Sequence, residues 1–145
     1  MIRNEKEYRE AIDRLEQDDK VIELQRQKLN ELPLSEEEID RALSPMLSFR
    51  AQLNEEVEWY ERARRRDFEV SQDIRDIGKT LIALRIANGL SQKELAERLE
   101  VSEAQVSRDE RNEYHGIGLD RVQRILEAMG ETISFQVVHK RLVPA

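Results

Sequence analysis

Two helix starts stand almost back to back in the second half of this chain, and that spacing constrains the fold more than any other feature. Ser91-Gln92-Lys93-Glu94 and Ser102-Glu103-Ala104-Gln105 each read as a capping box. In such a box a hydroxyl accepts from the backbone N–H three residues on, and the Glu or Gln there bonds back to the cap. Leu95, Ala96 and Leu99 fall inside the first helix and Val106 inside the second, with only Glu100 and Val101 between Leu99 and the second cap. Helices of about eight residues joined so tightly cannot lie antiparallel over much length, so they must cross steeply as a helix-turn-helix. Ala96 supplies the small side chain needed where they approach most closely.

The flanks support this. Ser71 can cap a preceding helix with Ile74, Ile77, Leu81 and Leu84 on its apolar face, closed by Gly89 where a left-handed residue is wanted. Leu119, Val122, Ile125, Leu126 and Met129, ended by Gly130, form a closing amphipathic helix.

Gly89-Leu90-Ser91-Gln92-Lys93-Glu94-Leu95-Ala96, Val101-Ser102, Gln105-Val106-Ser107-Arg108 and Glu110-Arg111 together resemble the phage-repressor-type (Xre/Cro-like) helix-turn-helix family. The likeness covers residues 72–130. It implies an all-α, five-helix bundle, commonly dimeric, that binds double-stranded operator DNA and represses transcription. The run from Val106 to Gly116, with the helical N-terminal extension, is similar to antitoxin-like and prophage-encoded members.

The resemblance assigns Gln92 to a backbone phosphate, with Lys93 beside it as a cation that can neutralise one. Its base-edge positions fall on Glu103, Ala104 and Arg108, with Gln105 and Ser107 close enough to assist. Arg108 can grip guanine with two bonds, Ala104 can meet a thymine methyl and Glu103 can accept from cytosine. Arg111, Asn112 and the loop through His115 sit where the family meets the DNA backbone.

Two residues depart from the family's pattern. Glu100 occupies a turn position usually given to Gly; a left-handed conformation there costs on the order of 1 kcal/mol. Asp109 replaces an apolar or aromatic residue, so it is expected to be exposed or paired with a nearby Arg. With Glu103, Glu110 and Glu113 it makes an acidic reading head of modest phosphate affinity, for which two half-sites on a dimer compensate.

Residues 1–77 contain no glycine, and residues 1–70 carry 13 Lys/Arg against 19 Asp/Glu, net −6, while residues 71–145 carry 11 against 12, net −1. That shift divides the chain into a helical dimerisation or partner-binding module (1–70), the DNA-binding domain (71–130) and a tail (131–145).

In the first module Tyr8, Leu15, Ile22 and Leu29 recur every seven residues, joined by Ile12 and Leu32 and interrupted by Asp19 and Arg26. A turn through Glu31-Leu32-Pro33-Leu34 leads to a helix capped by Ser35 and Glu38. Pro45 is expected to open a fresh helix capped by Ser44. Beyond it Met46, Phe49, Leu53, Val57 and Tyr60 form one apolar stripe, which predicts a helical hairpin that dimerises through these residues. Arg62, Arg64, Arg65 and Arg66 read as solvated cations at a helix C-terminus. In the tail, Thr132-Ile133-Ser134-Phe135-Gln136-Val137 alternates with period two and predicts a short β-strand.

The same residues exclude other classes. Without cysteine there is no disulfide or thiolate chemistry, and His115 and His139 are too far apart to form a helical metal pair, so no metal or cofactor is expected. Gly116-Ile117-Gly118 follows a loop rather than a strand and fails the dinucleotide test, so no enzyme is expected. The apolar runs are short of a membrane span and Met1–Glu7 has no apolar leader, which predicts a cytoplasmic protein. The expected function is a sequence-specific DNA-binding repressor, either stand-alone or an autoregulating antitoxin with a cognate toxin. The alternative is a protein-interaction adaptor on the same fold.

Overall fold

The computed structural model describes residues 1–140, and every regular element among them is helical. Two long helices, α1 (Glu5–Asn30) and α2 (Glu36–Arg64), are followed by a 3-10 turn (Ile74–Asp76) and four shorter helices. These are α3 (Ile77–Ala87), α4 (Gln92–Leu99), α5 (Glu103–Arg111) and α6 (Leu119–Met129).

The α1–α2 hairpin is antiparallel, and its polar contacts set the register. Tyr8 stacks on Tyr60 with ring centroids 5.1 Å apart and donates to Glu61 at 2.7 Å. Arg64 pairs with Glu5 at 3.4 Å near the base. The polar breaks in the heptad stripe turn out to be rungs: Asp19 pairs with Arg50, and Arg26 with Asp40 at 3.5 Å. Exposed pairs of this kind contribute little to stability, but they disfavour a slipped register.

Four expectations about local structure need correction. The helix does not restart at Pro45; α2 runs unbroken with Pro45 inside it, and Ser44 caps nothing. Proline removes one backbone bond there, but Pro45 is solvent-exposed, and buried Ile39 and Leu43 before it and Val57 after it hold both segments in one helix. Ser71 does not cap α3: Asp73 caps the 3-10 turn, and Ser71 bonds to Asp73 and Asp76 instead. The repressor-like unit has four α-helices and a 3-10 turn rather than five helices, because no amphipathic helical period follows Gly130. Finally, residues 132–137 form no strand: without a partner strand there is no ladder to join, and Phe135 and Val137 stand exposed. Residues 141–145 of the expected tail lie outside the described residues.

One apolar cluster joins the base of the hairpin to the shorter helices. Ala11 and Leu15 of α1 and Val57, Tyr60 and Ala63 of α2 share it with Leu81 and Ile82 of α3, Leu95 of α4, Val106 of α5 and Ile125 of α6. Burying each of the larger side chains contributes about 1.5–3 kcal/mol. Gly78, in the first turn of α3, permits one close approach: a Cβ there would stand 1.8 Å from the Glu113 carbonyl oxygen. The distal part of the hairpin extends beyond this core, leaving Val21, Leu24, Leu47 and Phe49 exposed.

Candidate nucleic-acid interface

The interface begins with two short helices whose starts are set by serine. Ser91 accepts from the Glu94 N–H and Glu94 accepts from the Ser91 N–H, a complete capping box that holds the Glu94 carboxyl below its usual value. Ser102 caps α5 by accepting from the Gln105 N–H at 3.1 Å, but Gln105 does not return the bond; its side chain turns along α5 instead. At the other hairpin, Ser35 likewise accepts from the Glu38 N–H while its hydroxyl bonds the Glu38 side chain. Between α4 and α5, Glu100 is left-handed (φ 57°, ψ 38°), the strained conformation its position demands. Ala96, Leu95 and Val106 are buried where the two helices meet the core.

This packing leaves a polar face. Lys93, Glu103, Ala104, Arg108, Arg111 and Asn112 are exposed, and Gln92, Gln105 and Ser107 are half-buried. Gln92 donates to Glu110 at 2.7 Å, which spends one of its two amide hydrogens and leaves the other for an external acceptor. Arg108 donates to Gln105 at 2.9 Å and Gln105 donates to Asp109 at 3.0 Å.

The acidic reading head expected from sequence is largely dismantled by internal pairing. Glu110 is buried, its two oxygens held by Nε and Nη2 of the Arg85 guanidinium, which also donates from Nη1 to the Leu90 carbonyl and from Nη2 to the Arg3 carbonyl at 2.8 Å each. Asp109 is paired with Arg121 of α6, as the sequence allowed, and Glu113 lies 4.0 Å from Lys79. Among the described residues only Glu103 of these four acids makes no ion pair. Tyr114, buried beneath the loop, has its hydroxyl pushed well above the usual tyrosine range, first by burial and then by the charge of Glu110.

Arg85 is missing from the site as read from sequence, Glu110 is counted there only among the acids of the reading head rather than as a buried partner, and Arg121 is missing too. A signal existed for the first two. Arg85 is the one charge in the apolar run Leu81-Ile82-Ala83-Leu84-Arg85-Ile86, and Glu110 falls one helical turn after buried Val106. A charge on a buried face needs a partner of opposite sign, and each is the other's.

The proposed dimer residues are divided. Val57 and Tyr60 are buried within the same chain, Met46 and Leu53 are half-buried and Phe49 is 72% exposed.

Residues 81–136 match a family model described as helix-turn-helix. No curated protein and no solved structure matches the chain. None of the described helices is long and apolar enough to cross a membrane. With α4 and α5 joined by a left-handed turn, α5 outward and the match spanning both, residues 81–136 are a helix-turn-helix of the phage-repressor type, a family of DNA-binding transcriptional regulators.

Proposed function

We propose that this chain is a sequence-specific repressor that binds double-stranded operator DNA as a homodimer. Residues 71–130 are the reading domain and residues 1–70 the pairing module. One observation carries the reading: Glu110 and Asp109 are neutralised inside the protein, so the outward face of α5 offers Arg108 and Arg111 against the single unpaired acid Glu103. Glu110 is buried and needs its partner whatever this face binds, but Asp109 is only partly buried, and phosphates close to the face favour its being cancelled.

In this reading α5 enters the major groove, Arg108 and Ala104 meet base edges, Gln105 and Ser107 support them, and Glu103 discriminates by accepting from cytosine. Gln92, Lys93, Arg111 and Asn112 fix the register on the backbone. Pairing through Met46, Phe49 and Leu53 places two reading heads on two half-sites. The autoregulating-antitoxin form of this reading adds a cognate toxin, and co-purification with the product of a neighbouring gene tests it.

The test of the main reading is a mobility-shift titration on the DNA upstream of the protein's own coding sequence, at several salt concentrations, against a scrambled duplex. Preferential, salt-sensitive binding is expected. Equal or absent binding to both duplexes would replace this reading by the adaptor.

A further inference from the structure

A chain of side-chain contacts runs from α6 across α5 to its outward face. Arg121 donates to Asp109, Gln105 donates to the other Asp109 oxygen at 3.0 Å, and Arg108 donates to the Gln105 carbonyl oxygen at 2.9 Å. The donor inventory leaves this chain one direction. A carboxylate can only accept and a guanidinium can only donate, so a glutamine between them must turn its NH2 toward Asp109 and its oxygen toward Arg108. Asp109, with its side chain 16% exposed, has one oxygen toward Arg121 and the other toward Gln105.

We propose that Arg121 and Asp109 are positioning residues for base readout. By fixing the Gln105 amide they hold the Arg108 guanidinium in one orientation, so that its free N–H pair meets guanine. This rests on the DNA-binding reading above. With its oxygen turned to Arg108 and its NH2 to Asp109, the Gln105 amide is held in one orientation by its neighbours, so Gln105 acts as a buttress. Helix α6, which the family resemblance treats as packing, thereby contributes to specificity. The α5 side chains are ordered before DNA arrives, which lowers the entropic cost of ordering them on binding.

The experiment selects a preferred duplex for the wild-type protein from a randomised double-stranded pool. It then compares affinities for that duplex and its single-base variants across Asp109→Asn, Arg121→Ala, and the exchange of Asp109→Arg with Arg121→Asp. Folding is followed by circular dichroism and thermal melting. Both single variants should stay folded and lose preference for guanine at one position, on the order of tenfold, the size of one two-bond contact. The exchange restores an ion pair but places a donor beside Gln105, which turns the amide so that N–H groups face Arg108. It should therefore recover melting temperature without recovering the guanine preference.

Unchanged preference in the single variants, or preference recovered together with stability in the exchange, would overturn the positioning role while leaving DNA binding intact. A wild-type protein that selects no sequence would overturn the underlying reading itself. Should Asp109→Asn fail to fold, Arg121→Lys, which keeps the cation but loses the planar fork, decides the matter through an intermediate or an unchanged guanine preference.

Discussion

Glu100 shows how a single residue can stand against its surroundings. It occupies the left-handed region with a Cβ that glycine would not carry, and it does so because the α4–α5 turn leaves no alternative. Glu100→Gly should therefore stabilise the fold by about 0.5–1 kcal/mol, the relief of strain less the extra unfolded-state freedom of glycine, read as a higher melting temperature. Arg108 and Lys93 differ in another way, since both are exposed but only Arg108 leans on a neighbour. Arg108→Ala should cost about 1–3 kcal/mol per half-site and relax preference at one base. Lys93→Ala should weaken all duplexes alike and lower the salt slope by about one unit per subunit. Gln92→Ala should weaken all duplexes with little change in slope, because a neutral amide displaces no counterion. Titrations over a salt series separate the three.

Among the elements, α2 carries the clearest internal conflict. Its sequence contains a helix breaker, yet the helix continues through Pro45 because its neighbours on both sides are fastened to α1. Pro45 is exposed, so replacing it costs no packing. Pro45→Ala should restore a backbone bond and raise stability by about 1–3 kcal/mol, the interior proline penalty less its entropic benefit, measured by denaturant unfolding. A second element-scale device closes α6. Glu131, just past its C-cap, accepts from Asn88 after α3 and from Arg66 after α2, each at 2.8 Å, which pins three chain segments together. Those bonds, from Asn88 first and Arg66 second, hold its carboxyl below the ordinary value of 4.5. A depressed carboxylate contributes stability above its unfolded pKa and loses it as pH falls through the folded one. Glu131→Gln should therefore lower the melting temperature near pH 7, and the gap to wild type should narrow progressively as pH falls below about 4.5 through the lower folded pKa, as wild type loses the same contribution.

At the scale of the molecule, the hairpin's base is in the common core while its distal part is not. The stripe expected to pair two chains is spent partly within one: Val57 and Tyr60 are covered internally, and Phe49 remains outside. Replacing both Phe49 and Leu53 with Asp should bring the mass measured by light scattering to that of one chain while leaving helical content in place. A dimeric variant would move the interface elsewhere. Dimer loss should also weaken operator binding far more than the substitutions could do locally, because the second half-site no longer contributes avidity.

Much of this protein is legible in its residues where the governing interaction is local. Helix starts at Ser35, Ser91 and Ser102 and stops at Gly89 and Gly130 follow from caps and left-handed ends that involve a few neighbouring atoms. The helix-turn-helix followed from the spacing of two such caps. What misled was local pattern without regard to partners. Pro45 signalled a break that packing overrides, and the alternation in residues 132–137 signalled a strand for which the described chain offers no mate. Only the tertiary structure decided the charges of the reading head, because the sign of a face depends on which acids are answered from other helices. Glu110 meets Arg85 across 25 positions of sequence and Asp109 meets Arg121 across 12. Capping is a contest among adjacent groups and can be read along the chain, whereas pairing of charges waits on the fold that brings them together.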